Sequence, residues 1–223
     1  MPGNIVRALV DPGRACIRAH RAHHSPARSW VMLTAVLAGL GWLSVSVAAR
    51  VVETLAEAGL SSADAERLAA SVGGLYREAM VFAPLAKITD GVIAGGLLAG
   101  AARTLGHRIR MIDAQRVVAL AAAPEAIGAL ADLVSVWSAG PEFAPDLTPL
   151  RTPSTSLAAL LPPDLGLPVP TGVGHRLTLA AGWTLLLRIA GMRALTGAAP
   201  GRAAAVTLPG WILGLFRPGW WPG

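Results

Sequence analysis

Charged residues are scarce in this sequence, at only 14% of its 223 residues, whereas an ordinary soluble domain carries about 25%. That leaves too little polar surface to coat a globule, because 53% of the residues are hydrophobic. Cysteine is nearly absent too, and the single Cys16 excludes an internal disulfide. Lysine is represented by Lys87 alone. These shortages favour a chain that is surrounded by lipid.

Signatures of soluble enzymes and of metal sites are also missing. The sequence contains no Walker loop, dinucleotide-binding glycine fingerprint, HExxH or GxSxG. Cys16 lies near His20, His23 and His24, but this spacing matches no standard zinc pattern, and we expect the arginine-rich segment around it to be a flexible arm. The sequence therefore predicts a protein that is not an enzyme and that holds neither metal nor cofactor.

Long apolar blocks are what the sequence does have. The clearest one, 30–49, runs for 20 residues without a charge, and as a helix it would be about 30 Å long, the thickness of the hydrocarbon layer. A signal peptide is the alternative for this block, but its apolar core would normally be shorter and more apolar blocks follow. The five predicted spans are 30–49, 79–102, 115–137, 176–194 and 203–221.

The predicted fold is an all-α, polytopic transmembrane helical bundle. One membrane domain covers 30–221 and follows a basic segment, 1–29. The last apolar block is short and interrupted by Arg217, so four spans or a re-entrant fifth segment are alternatives. Trp30 and Trp137 stand at predicted span ends, where aromatic residues are enriched at membrane interfaces.

The charges of the connecting segments predict the orientation. Arginine is concentrated before the first span, between the second and third, and between the fourth and fifth, whereas the other two connections are poorer in cations for their length. Basic and non-basic sides therefore alternate as five crossings require. Because cytoplasmic loops carry the excess of Lys and Arg, we expect a cytoplasmic N-terminus and an outside C-terminus.

The two outer connections differ in character. In 50–78, Ser61 and Asp64 are spaced as a capping box before apolar residues at helical intervals, which predicts an amphipathic helix over 60–76 that covers the bundle. The connection 138–175 is rich in proline, so a loop is expected, with a short helix only near 157–161.

Four glycines in the second span, Gly91, Gly95, Gly96 and Gly100, form overlapping small-xxx-small pairs. Such pairs let a neighbouring helix approach closely. We predict that they pack within this chain, and a homodimer through the same face is the alternative.

Ionisable residues inside the predicted spans are costly, at about 2.5–3.5 kcal/mol each at the bilayer centre, so they should face inward and pair. The candidate charge network comprises Lys87, Asp90, Glu125, Asp132 and Arg188. In one interpretation the cations neutralise the acids and fix the helix register. In the other, Asp90 and Glu125 relay protons or bind a cation, as in a transporter.

Two runs of sequence resemble the Yip-domain family of five-span membrane proteins. The first is Thr104-Leu-Gly-His-Arg-Ile-Arg-Met-Ile-Asp-Ala-Gln-Arg-Val-Val-Ala-Leu-Ala-Ala-Ala-Pro124, in which a small loop with glycine precedes a span bearing a proline. The second runs from Trp183 through Leu-Arg-Ile-Ala-Gly-Met-Arg-Ala-Leu-Thr-Gly197 to Arg202-Ala-Ala-Ala-Val. The resemblance implies five helices, a cytoplasmic N-terminus and no catalytic residues.

The functional expectation is a non-enzymatic, multi-pass protein of the cell (inner) membrane. It would act in membrane organisation or trafficking through helix packing and partners, which include the lipid bilayer, other membrane proteins or a second copy of itself. Nucleic acid is not an expected partner, because the arginines are dispersed along loops and helix ends. The alternative is an ion- or proton-coupled or small-solute transporter component that uses the charges of spans two and three.

Overall fold

The computed structural model describes residues 9–22, 25–57, 59, 61–77, 83–139, 156–160, 174 and 176–215. These residues are overwhelmingly helical and contain no strand, only an isolated antiparallel bridge between Ser156 and Thr178. The all-α prediction is confirmed for them. The helices are α1 Pro12–Arg21, α2 Pro26–Glu57, α3 Ser62–Arg77, α4 Ala83–Thr104, α5 Met111–Ala121, α6 Ala123–Ala139, α7 Leu157–Leu160, α8 Leu179–Thr196 and α9 Pro200–Leu215.

The basic N-terminal segment folds as a helix, so the expectation of a flexible arm is wrong for Pro12–Arg21. Asp11 caps α1, because its side chain accepts a hydrogen bond of 3.0 Å from the backbone N–H of Arg14. Pro12 suits the first helical position, where no intrahelical donor is needed. The helix packs against α5 and α8.

The first predicted span continues as one long helix. At 32 residues α2 is about 48 Å long, so it runs beyond the predicted end at residue 49 and beyond a hydrocarbon layer of about 30 Å. Helix α3 packs back against α2, in the place predicted for an amphipathic helix. Its start has the predicted cap: the Asp64 N–H donates to Ser61 Oγ over 3.3 Å.

The third predicted span consists of two helices rather than one. They separate at Ala122, just before Pro124, whose ring cannot donate a backbone hydrogen bond. Helix α5 is central, since it packs against α1, α2, α4 and α8. Every residue from Asp113 to the end of this helix is buried, and the burial continues to Pro124. Most of the hydrophobic core cluster surrounds this short helix.

The last two predicted spans correspond to α8 and α9. Helix α8 ends at Gly197, whose φ of 66° is the left-handed conformation that glycine adopts readily at a helix C-terminus. Helix α9 contains Pro209. Parts of two predicted spans, 79–82 and 216–221, lie outside the described residues, as do 140–155 and 161–173 of the predicted proline-rich loop.

Among the residues that the structure describes, three stretches are long and apolar enough to cross a bilayer, namely Pro26–Thr54, Leu85–Thr104 and Met111–Ser135. These stretches make the chain a helical membrane protein. Helices α8 and α9, with 18 and 16 residues, would be about 27 and 24 Å long, which is less than the hydrocarbon thickness.

The shorter helices nevertheless share one feature with the long ones, an exposed apolar stripe. On α6 the stripe is formed by Ile127, Leu130, Val134 and Trp137, and Trp137 is 75% exposed. Stripes at the same helical spacing occur on three further helices: Leu85, Ile88 and Val92 on α4, Leu179, Trp183 and Leu186 on α8, and Leu208 and Ile212 on α9. Contiguous apolar surface of this kind is rare on soluble monomers and suits contact with lipid tails.

Candidate functional site

Two members of the predicted charge network meet directly. The ammonium group of Lys87 on α4 forms an ion pair with the Glu125 carboxylate at the start of α6. Both residues lie within stretches that can span a bilayer, where an unpaired charge would be costly. The contact therefore neutralises one acid and ties α4 to α6.

The other three members, Asp90, Asp132 and Arg188, are partly buried on α4, α6 and α8. Arg188 lines a small cavity together with Ala94, Leu98, Val118, Val206, Thr207 and Gly210. The cavity has a volume of roughly 10 Å³, and a water molecule requires about 10–15 Å³. It is large enough for about one water molecule but not for a solute.

Two of the four glycines of α4 permit close packing within the chain. The Trp30 ring lies against Gly91 so closely that any side chain there would overlap it, and the Gln115 side chain occupies the corresponding space at Gly95. The Gln115 amide also donates a hydrogen bond of 3.0 Å to the Val92 carbonyl. The prediction that Trp30 faces a membrane interface is wrong, because this side chain is only 6% exposed.

The remaining two glycines are less constrained. A methyl group at Gly96 would make an ordinary contact of 3.5 Å with Met111, and one at Gly100 would meet nothing within 4 Å. Close approach between helices therefore uses Gly91 and Gly95, and the face around Gly100 is open.

A second cluster of charges lies where α1 meets the start of α5. Arg116 Nη1 donates to Asp113 Oδ1 over 2.6 Å, and the two side chains are 5% and 6% exposed. His20 Nδ1 lies 2.8 Å from the same oxygen. Arg110 Nε donates to Oδ2 over 2.8 Å. We call these four residues the Asp113 cluster. Its buried carboxylate contacts His20 on α1, Arg116 on α5 and Arg110 in the loop before α5.

The Asp113 cluster is not among the predicted site residues, because the arginines between the second and third predicted spans are interpreted as cations of a connecting loop. A signal was present, since Arg110, Asp113 and Arg116 follow one another at intervals of three residues, the spacing of neighbours on a helix face. His20 could not have been found in this way, because it lies 93 residues from Asp113 in the sequence.

Cys16 fixes the position of α1 on the bundle. The residue is 2% exposed, and its thiol lies in a space left open by Gly191, where a methyl group would be 3.0 Å from Cys16 Sγ and from Val117 Cγ1. Burial raises the pKa of the thiol to about 12, because the charged thiolate would lose its hydration. Cys16 is thus an apolar anchor, and His23 and His24 of the rejected metal pattern lie outside the described residues.

Comparison of the chain with protein-family models, with characterised proteins and with solved structures finds no match.

Proposed function

We propose that the chain is a five-span protein of the cell (inner) membrane that acts without catalysis, through helix packing and protein partners. Its N-terminus would lie in the cytoplasm and its C-terminus outside. The observation that carries the proposal is the exposed apolar stripe on each of α4, α6, α8 and α9. Helices α8 and α9 have such stripes although they are short, which supports crossings four and five.

The pairing of the buried charges supports a structural role for them. The Lys87–Glu125 ion pair and the Asp113 cluster each join elements that are distant in the sequence. Removing one partner from such a pair leaves a buried charge without compensation, so the contacts select one arrangement of the helices.

The resemblance to the Yip-domain family belongs to this proposal. It rests on the run from Thr104 to Pro124, which spans the turn between α4 and α5 and the break before α6, and on the run that includes the turn between α8 and α9. Eukaryotic members of that family are associated with Rab-type GTPases and vesicle traffic, which makes membrane organisation the proposed context.

A proton-coupled or small-solute transporter component is the second candidate. The observation in its favour is the number of ionisable residues inside the bundle, including Asp90, Asp132 and Arg188 beside its small cavity. A roughly 10 Å³ cavity could hold a water molecule in a proton relay but does not form a pathway for solute.

A proton-flux assay on liposomes containing the purified protein separates the two candidates. The proposal predicts the same flux for protein-free liposomes, for the wild type and for Asp90→Asn. Because Glu125→Gln alone would leave Lys87 unpaired, the Lys87→Met/Glu125→Met variant replaces both charges and leaves the net charge of the chain unchanged. Flux that is above the protein-free value in the wild type and absent in either variant would contradict the proposal and establish the transporter.

The partner claim is tested by cross-linking in native membranes and mass spectrometry. We expect the same set of membrane proteins with the wild type and with Lys87→Met/Glu125→Met, since the pair lies inside the bundle. A cross-linked set no different from that of an unrelated membrane protein of equal abundance would contradict the claim.

A further inference from the structure

Cations are concentrated at one end of the helical bundle, which we call the basic end. Helices α4 and α8 end there, α5 and α9 begin there, and α1 lies across it, since His20 contacts Asp113 and Gly13 faces Ala194. The exposed arginines on these helices and on the turn between α4 and α5 are Arg14, Arg18, Arg21, Arg103, Arg108, Arg110, Arg193 and Arg202.

Helix α1 separates its apolar side from its cationic side. Ala15, Cys16 and Ala19 are buried against the bundle. The exposed arginines Arg14, Arg18 and Arg21 follow the spacing i, i+4, i+7 and so form a row along the other side. The helix is therefore held by the protein, and its cations remain available to an external partner.

Within the described residues, carboxylates do not neutralise the row formed by Arg14, Arg18 and Arg21. Asp11 pairs with Arg14 over 3.3 Å, and both side chains are substantially exposed, so the pair is weak. Asp113 is buried and already contacts two arginines. Arg18 and Arg21 make no ion pair within the described part of the chain.

The docked face of α1 lies just inside the start of the apolar stretch of α5, within the length of an arginine side chain from the lipid phosphates. Cys16 lies beside Val117, which is six residues, or about 9 Å, from the start of α5. Helix α5 begins the apolar stretch Met111–Ser135, so its first turns stand at the boundary between headgroups and acyl chains. The guanidinium groups on the outer side of α1 can extend from this depth to the headgroups. Arginine can bind phosphate oxygens there in a bidentate manner.

We propose that α1, together with Arg193 beside it, binds the phosphate groups of anionic phospholipids in the leaflet at the basic end. The proposal rests on the proposed membrane location. Arginine clusters next to spans bind anionic leaflets, and each cation near such a surface contributes a factor of about five in affinity. The three arginines of α1 would together contribute roughly 100-fold.

The test uses the full chain in detergent, titrated with micelles that contain phosphatidylglycerol or phosphatidylcholine, with binding and thermal unfolding both measured. We expect the wild type to bind phosphatidylglycerol at least tenfold more tightly and to be stabilised by it. Arg14→Gln/Arg18→Gln/Arg21→Gln should lose most of this preference. The matched control Arg50→Gln/Arg67→Gln, which alters exposed arginines near the opposite end, should retain it.

Alkylation of Cys16 reports whether α1 stays docked in the triple variant. If the thiol becomes reactive there, Arg193→Gln replaces that variant, with an expected loss of about fivefold. Equal binding of both lipids by the wild type, or an unchanged preference in the docked variant, would overturn the proposal. So would full displacement of the lipid by millimolar inorganic phosphate, which would assign the site to a soluble anion. Failure of the membrane location would instead appear as a chain that stays dissolved without detergent.

Discussion

Cys16 connects the N-terminal helix with the core, and its reactivity reports on that contact. Burial raises the pKa of the thiol from 9.0 to about 12, so the reactive thiolate is roughly 1000-fold rarer at a given neutral pH than in an unfolded chain. We predict that the folded protein in detergent reacts with maleimide at pH 8 at least 100-fold more slowly than the denatured protein.

Gly191→Leu should release this protection, because a side chain there would displace Cys16 Sγ and Val117. Gly182→Leu is the matched control on the same helix, since a methyl group at Gly182 would meet nothing within 4 Å. Rapid alkylation of the folded wild type would contradict the docking of α1.

The same thiol predicts the sign of a pH effect on stability. The folded state holds the thiol proton more tightly than the unfolded state, whose pKa is near 9.0. The contribution of Cys16 to the free energy of unfolding is therefore complete below pH 9 and is lost as the pH rises towards about 12. Cys16→Ala should show a smaller loss of stability between pH 9 and pH 11 than the wild type, measured by thermal unfolding in detergent.

Substitution of Asp113 should lower the free energy of unfolding more than substitution of a surface acid. Asp113→Asn would remove the charge of the buried carboxylate that Arg116 Nη1 contacts, at an expected cost of about 3–5 kcal/mol in the free energy of unfolding. Asp64→Asn provides the comparison, since Asp64 pairs with Arg67 at the surface, where a pair contributes up to about 1 kcal/mol. Equal thermal unfolding midpoints for the two variants would show that the Asp113 cluster is not a structural anchor.

At the scale of helices, the approach of α2 to α4 depends on Gly91. Gly91→Leu would overlap the Trp30 ring, and overpacking of this kind costs about 1–3 kcal/mol. Gly100→Leu, nine residues further along the same helix, has open space and should leave the unfolding midpoint unchanged. The two variants are compared in detergent by thermal unfolding and size-exclusion chromatography. If Gly100→Leu alone were to dissociate a dimer, the open face would be an interface between copies of the chain.

The positions of most helices could be predicted from the sequence, because hydropathy over about 20 residues identifies an apolar helix whatever it packs against. The ends of α2 could not be predicted in this way, because a charged residue such as Arg50 bounds an apolar block without ending the helix. A proline inside an apolar block predicts either a kink or a break, so the break before Pro124 could not be predicted from the sequence alone. It divides one apolar block into α5 and α6, and hydropathy carries no information about the direction of the chain within such a block.

The candidate site was predictable only in part. Lys87 and Glu125 stood out because charges in apolar blocks must find partners. The docking of α1 escaped prediction, because Ala15, Cys16 and Ala19 form too small an apolar face to stand out in a segment dominated by arginine. Their contact with Val117 and Gly191 depends on tertiary packing between elements far apart in the sequence.

For the whole molecule, charge and apolarity are distributed as a bilayer would require. Exposed cations predominate at the basic end, whereas acids outnumber arginines among the exposed charged residues near the junction of α2 and α3, namely Arg50, Glu53, Glu57, Asp64, Glu66 and Arg67. Exposed apolar stripes occupy the helices in between. This arrangement agrees with placement of the basic end on the cytoplasmic side.

Extraction of cell membranes with alkaline sodium carbonate tests the central claim, that lipid surrounds these helices, most directly. The treatment releases soluble and peripheral proteins but leaves proteins with membrane-spanning helices in the pellet. The account predicts that the chain stays in the pellet after carbonate and enters solution only with detergent. Recovery of the chain in the carbonate supernatant, monodisperse without detergent, would contradict it.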